Sequence, residues 1–179
     1  MSAIKLINSS PSADTAEFRV YQNDQQVARI GVHQGGQASV PTQMEYTVQA
    51  TTQMGEFALM SNPVSFQESS INVLARVLSE QGYHDFQLVT SPGTQSSAIV
   101  LENTWEKPVQ FNLSRPNSPV QIVTVVDEHN HGSISTAQQW TIYAIVNGIT
   151  TENVETVDPN ATITLLSDNN REGFSLKVS

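Results

Sequence analysis

Apolar and polar residues alternate with a period of two through much of this chain. In Phe18-Arg19-Val20-Tyr21-Gln22, Tyr46-Thr47-Val48-Gln49-Ala50, Phe111-Asn112-Leu113-Ser114 and Thr162-Ile163-Thr164-Leu165, extended backbone would put apolar side chains on one face and polar ones on the other. That is the pattern of half-buried strands. Longer β-branched runs over 120–126 and 141–146 predict more fully buried, central strands. Turn residues separate the runs at Gln22-Asn23-Asp24, Gly35-Gly36, Asn62-Pro63, Pro116-Asn117, Asn147-Gly148, Asp158-Pro159-Asn160 and Asn169-Asn170. Such regular punctuation suits a sandwich or a barrel. One stretch is ambiguous, because Ile71, Leu74, Ala75 and Leu78 have helical spacing behind Ser69 and Ser70. Its counterpart at 161–167 is rich in β-branched residues, which favours strand in both places.

That counterpart exists because the chain repeats itself. Ala3-Ile4-Lys5-Leu6-Ile7-Asn8 recurs as Ala98-Ile99-Val100-Leu101-Glu102-Asn103, and Phe18 and Val27 are answered by Phe111 and Val120. The run 32–50 then aligns without a gap on 126–144, pairing Val40 with Ile134, Thr42 with Thr136, Tyr46 with Trp140 and Val48 with Ile142. Leu78-Ser79-Glu80 answers Leu166-Ser167-Asp168, and Phe86-Gln87-Leu88 answers Phe174-Ser175-Leu176. A colinear series of this kind predicts an internal duplication. The expected fold is all-β, with two tandem homologous β-sandwich units, Ig-like or jelly-roll-like, at 1–92 and 97–179. They would be joined by the Pro-Gly link around Ser91-Pro92-Gly93-Thr94.

Composition narrows the function classes. There are 17 acidic residues against 8 basic, a net charge of −9, and this disfavours nucleic acid or anionic lipid as partner. Cysteine is absent, which removes disulfides, thiolate metal sites and cysteine nucleophiles together. No apolar run is long enough for a membrane-spanning helix, and the first residues lack the pattern of a secretory leader. A cytoplasmic location is the expected default, with leaderless export as the alternative.

The densest polar cluster is Asp127-Glu128-His129-Asn130-His131-Gly132. On extended backbone His129 and His131 share a face, so with Asp127 they offer part of a site for zinc or another divalent ion. The competing reading is a polar hairpin loop. The aligned His33-Gln34-Gly35-Gly36-Gln37 lacks the carboxylates, so any such site belongs to one copy only. Trp105, beside Glu106 and opposite Ser10 of the first copy, can stack on a sugar or anchor a protein contact. A Trp that covers a loop or a domain junction is the plainer expectation. Trp140, aligned with Tyr46, reads as core, and Tyr83-His84-Asp85 is a further polar-aromatic cluster of the first copy.

No G-x-S-x-G elbow, P-loop or G-x-G-x-x-G cradle occurs, and no catalytic residue is assigned. A surface rich in Gln, Asn, Ser and Thr suits neutral hydrogen bonding. The expected function is therefore non-catalytic binding of a carbohydrate or a protein surface, lectin-like, through Trp105, Glu106, Asp127, Glu128, His129 and His131. The alternatives are a self-assembling protein that forms a symmetric oligomer, and a membrane-active toxin-type β protein.

Overall fold

The computed structural model describes residues 1–116, 118–167 and 173–179. The expected turn at Asn169-Asn170, Asn117 of the Pro116-Asn117 turn, and the aligned Asp168 lie outside the described residues. Every regular element among the described residues is a strand, so the fold is all-β. Among the described residues no helix is long and apolar enough to cross a membrane.

The chain divides into two compact units. Unit 1 consists of Met1–Gln43 with Gln138–Ser179, and unit 2 is the continuous segment Met44–Ala137. Unit 1 contains β1 (Ala3–Asn8), β2 (Thr15–Gln22), β3 (Gln25–His33) and β4 (Gln37–Pro41). It is completed by β14 (Trp140–Val146), β15 (Ile149–Thr150), β16 (Val154–Thr156), β17 (Thr162–Ser167) and β18 (Phe174–Val178). Unit 2 contains β5 (Tyr46–Met54), β6 (Phe57–Met60), β7 (Val64–Phe66), β8 (Ile71–Glu80) and β9 (Tyr83–Pro92). To these it adds β10 (Ala98–Asn103), β11 (Val109–Ser114), β12 (Gln121–Val125) and β13 (Asn130–Ser135).

These boundaries differ from those expected at 92 and 97. The link 93–97 lies inside unit 2, between β9 and β10, while the chain passes from one unit to the other at 43/44 and 137/138. The units are assembled by strand pairing rather than by sequence proximity. β1 pairs in parallel with β17, and β2 pairs with β14, each more than a hundred residues away.

In unit 1 one sheet has the order β18-β17-β1-β4 and the other β15-β14-β2-β3, with β16 on β14. In unit 2 the orders are β9-β8-β10-β13 and β6-β5-β11-β12, with β7 on β5. Each strand of one unit therefore has a positional counterpart in the other. Each pair of sheets contributes to one apolar core. In unit 1 the core includes Ile4, Leu6, Phe18, Val20, Val40, Trp140, Ile142 and Ile163. In unit 2 the corresponding positions hold Ile99, Leu101, Phe111, Leu113, Ile134, Tyr46, Val48 and Val73. Trp140 is core, as its aromatic counterpart implied. With about 25 cal/mol per Å² of apolar surface buried, such cores supply the main stabilisation of a cysteine-free chain.

The stretch 71–80 is strand β8, as its β-branched counterpart favoured, with Ile71, Val73 and Ala75 alternating inward; the helical spacing of Leu74 and Leu78 arises from residues on the other face. Two details correct the reading from sequence. The β-branched run 120–126 is no central strand. β12 lies at a sheet edge, and Val120, Ile122 and Val126 are 55%, 62% and 58% exposed. The place of Leu166 in β17 is matched in β8 by Arg76 rather than Leu78, because Leu6 lies opposite Ile163 and Leu101 opposite Val73.

Candidate functional site

Two fully buried asparagines organise matching ends of the units. Asn103 closes β10, and its Nδ2 donates to the carbonyls of Lys107 at 2.9 Å and Val125 at 3.1 Å. Its Oδ1 accepts from the Trp105 amide at 2.7 Å, and its carbonyl accepts from the His129 amide at 2.7 Å. In unit 1 Asn8 does the same. Its Nδ2 donates to Ala13 and Val32, its Oδ1 accepts from Ser10, and its carbonyl accepts from Gly35. The hydrogen bonds make Val125, rather than Val126, the positional counterpart of Val32, so unit 2 has one more residue than unit 1 in the turn before β13.

Asn103 thereby brings together most of the residues singled out from sequence. The loop carrying Trp105 and Glu106 and the turn carrying Asp127, Glu128 and His129 are tied to one side chain and its carbonyl. Trp105 is half-buried against the core of unit 2, and its Nε1 donates to the Gln53 carbonyl at 3.3 Å. Thr104 fastens the same loop to β8 by donating from Oγ1 to the Ala75 carbonyl at 2.8 Å. Trp105 thus covers a core edge and still presents part of its surface.

The 127–131 segment is an exposed turn entering β13, with the Asn130 amide donating to the Asp127 carbonyl. His129 has φ +62°, so the extended backbone that would put His129 and His131 on one face is absent. His129 Nε2 lies 3.4 Å from Glu128 Oε1, whereas His131 stands opposite Glu102 in the β10–β13 ladder. Among the described residues no three His, Asp or Glu side chains come together as a metal ion would need.

Beside Trp105 lies a feature the sequence did not signal. Thr51, Thr52, Gln53, Ala58, Pro108, Gln110 and Thr124 line a depression of about 390 Å³ on the sheet of β6, β5, β11 and β12. Its polar groups are hydroxyls and amides with no charge among them, although Thr52 Oγ1 is committed to the Pro108 carbonyl at 2.8 Å. Gln53 belongs both to this depression and to the Trp105 hydrogen bond. Phe57, 75% exposed, precedes Ala58 on β6. These positions come together from distant strands, so no local motif marks them.

Unit 1 offers a groove of about 510 Å³ lined by residues 149–154 and 173–176, with Glu152 the one ionisable side chain among the described lining residues. It also presents Tyr21 stacked on Tyr143, ring centroids 5.9 Å apart. The hydroxyl contact with Tyr143 pushes the Tyr21 phenol up from its ordinary range. Nearby, hydrogen bonds from Arg29 and then Arg19 hold the Glu17 carboxyl below the usual range. These charges satisfy one another. Two hydroxyl–imidazole contacts occur, Ser79 with His84 at 2.8 Å and Thr15 with His33 at 3.1 Å. Both are exposed, and neither has a carboxylate hydrogen-bonded behind the imidazole among the described residues, as an activated nucleophile requires. No protein-family profile, curated protein or solved structure matches this chain.

Proposed function

We propose that this chain is a non-catalytic binding protein built from a duplicated pair of β-sandwich units. Its ligand would be a neutral carbohydrate, held at the Trp105 end of unit 2. The matching strand orders and the matching Asn8 and Asn103 clips support the duplication. The observation that carries the ligand class is the uncharged depression around Thr51, Gln53, Gln110 and Thr124, on a chain of net charge −9. Hydroxyls and amides exchange hydrogen bonds with sugar hydroxyls without desolvating a charge, and a rigid ring beside them covers a sugar face at small entropic cost. Trp105, whose Nε1 donates to the carbonyl of Gln53 in the depression, would supply that ring. The turn of Asp127, Glu128, His129 and His131, with Glu106, would supply further polar contacts.

The reading is tested on a broad array of neutral and acidic glycans. Expected is saturable binding to neutral glycans that changes little with salt and weakens at least about tenfold in Gln110→Ala and Trp105→Ala proteins. A silent array, or binding confined to acidic glycans and abolished by salt, would overturn it.

A further inference from the structure

An exposed sheet edge is a row of unpaired donors and acceptors, and soluble proteins ordinarily blunt it with brevity, charge, proline or a bulge. Two edges of unit 1 follow that rule, and β9 of unit 2 does not. β4 is short and ends in Pro41, while the long edge β3 carries Arg29 and a register shift against β2. β9 runs for 10 residues with an unbroken register against β8. It has neither lysine nor arginine, and its proline is the terminal Pro92. Beyond Ala75, where β10 stops pairing with β8, the β8–β9 hairpin continues as a two-stranded ribbon to the turn Gln81-Gly82. Leu78, Tyr83 and Val89 stand exposed along it.

The turn fixes which backbone groups are free. Gln81 and Gly82 have φ +49° and +83°, a two-residue turn whose flanking pair, Glu80 and Tyr83, exchanges both hydrogen bonds. In an antiparallel ladder such pairs alternate with pairs that exchange none. Tyr83, Asp85, Gln87, Val89 and Ser91 therefore bond to β8. His84, Phe86, Leu88 and Thr90 turn both N–H and C=O outward, and Pro92, which has no N–H, falls on an outward position.

We propose that β9 pairs antiparallel with β9 of a second copy of this chain, about a two-fold axis at Gln87, joining the two sheets into one. In that register His84 meets Thr90 and Phe86 meets Leu88 of the second copy, so every outward group of those residues is satisfied. On the solvent face Gln87 meets Gln87, Asp85 meets Val89 and Tyr83 meets Ser91. The single carboxylate of the strand thus never faces another one, which is the charge condition a self-pairing edge must meet. Self-pairing is favoured over capture of a foreign strand because the strand satisfies this condition against its own sequence. The interface is small, so the dimer is expected to be a micromolar one.

The test is sedimentation of the full chain from about 10 µM to 1 mM. The mass is expected to rise toward twice the 19.6 kDa of one chain. Val89→Asp sets carboxylates opposite Asp85, and Thr90→Pro removes an outward N–H without touching the β8 ladder. Each should weaken association about tenfold or more, with circular dichroism unchanged. Adding Asp85→Lys to Val89→Asp makes the facing pairs opposite in charge and should restore the dimer. A chain that stays monomeric, an association indifferent to both single variants, or a double variant no tighter than Val89→Asp overturns the proposal. Should Thr90→Pro fail to fold, the charge pair alone decides.

Discussion

A carboxamide can be buried completely only when each of its polar atoms has a partner, and Asn8 and Asn103 meet that condition with three backbone bonds apiece. Asn103→Ala leaves the Lys107 and Val125 carbonyls and the Trp105 amide without it, at an expected cost of about 3 kcal/mol. Asn103→Asp keeps the shape but replaces a donor of two hydrogen bonds by an acceptor facing two carbonyls. It should cost at least as much as alanine. Urea unfolding of the three proteins checks this, and an aspartate variant as stable as the parent would refute the clip. The repeated Asn was legible in the sequence as a repeated letter, but its role was not, since the partners come from loops whose course sequence does not give. Ser61 and Thr151 left no trace at all. Each accepts from and donates to an alanine of the facing strand, Ala50 and Ala144, yet one is serine and the other threonine.

Among the elements, the link 93–97 is the most constrained. β10 runs parallel to β8 with β9 on β8's other side, so the link must cross the start of β8. A Cβ on Gly93 would run into Ser70 and come within 2.6 Å of the Ile71 nitrogen. Gly55 has φ +57° but open space around it. Gly93→Ala is therefore expected to cost more stability than Gly55→Ala, roughly 2 kcal/mol against 1, read from urea unfolding. Equal losses would mean that the crossing has room to give. The sequence marked Pro92-Gly93 correctly as a break in regular structure, but as a domain boundary, because chain punctuation does not reveal which strands a link passes over. Period-two alternation located β2, β5, β11 and β17 because each buries one face. The β-branched run misplaced β12, which lies on an open edge, and the turn residues missed Gln81-Gly82, where glutamine takes a positive φ that asparagine usually takes.

At the scale of the whole molecule, units and repeats divide the chain differently. Residues 44–137 contain both sheets and the whole core of unit 2. Expressed alone, that segment should fold cooperatively. Residues 1–92, which look like one complete repeat, hold β1–β4 without their partners β14 and β17 and β5–β9 without β10 and β11. That fragment should lack a cooperative urea transition. A folded 1–92 beside an unfolded 44–137 would reverse the assignment of units. Similar residues at matched core positions were legible in the sequence. Which strands pair was not, since pairing between neighbouring and between distant strands uses the same alternating pattern.

The same pairing imposes an order on synthesis. β1–β4 are made well before β14–β18, the strands that complete their sheets, with the whole of unit 2 in between. At translation rates of about 5–20 residues per second, the first four strands wait roughly ten seconds for them. Unit 2 can close during that interval, whereas unit 1 must hold its apolar faces open until β14–β18 have followed. The discontinuous unit thus passes through a delay during synthesis that the continuous one escapes.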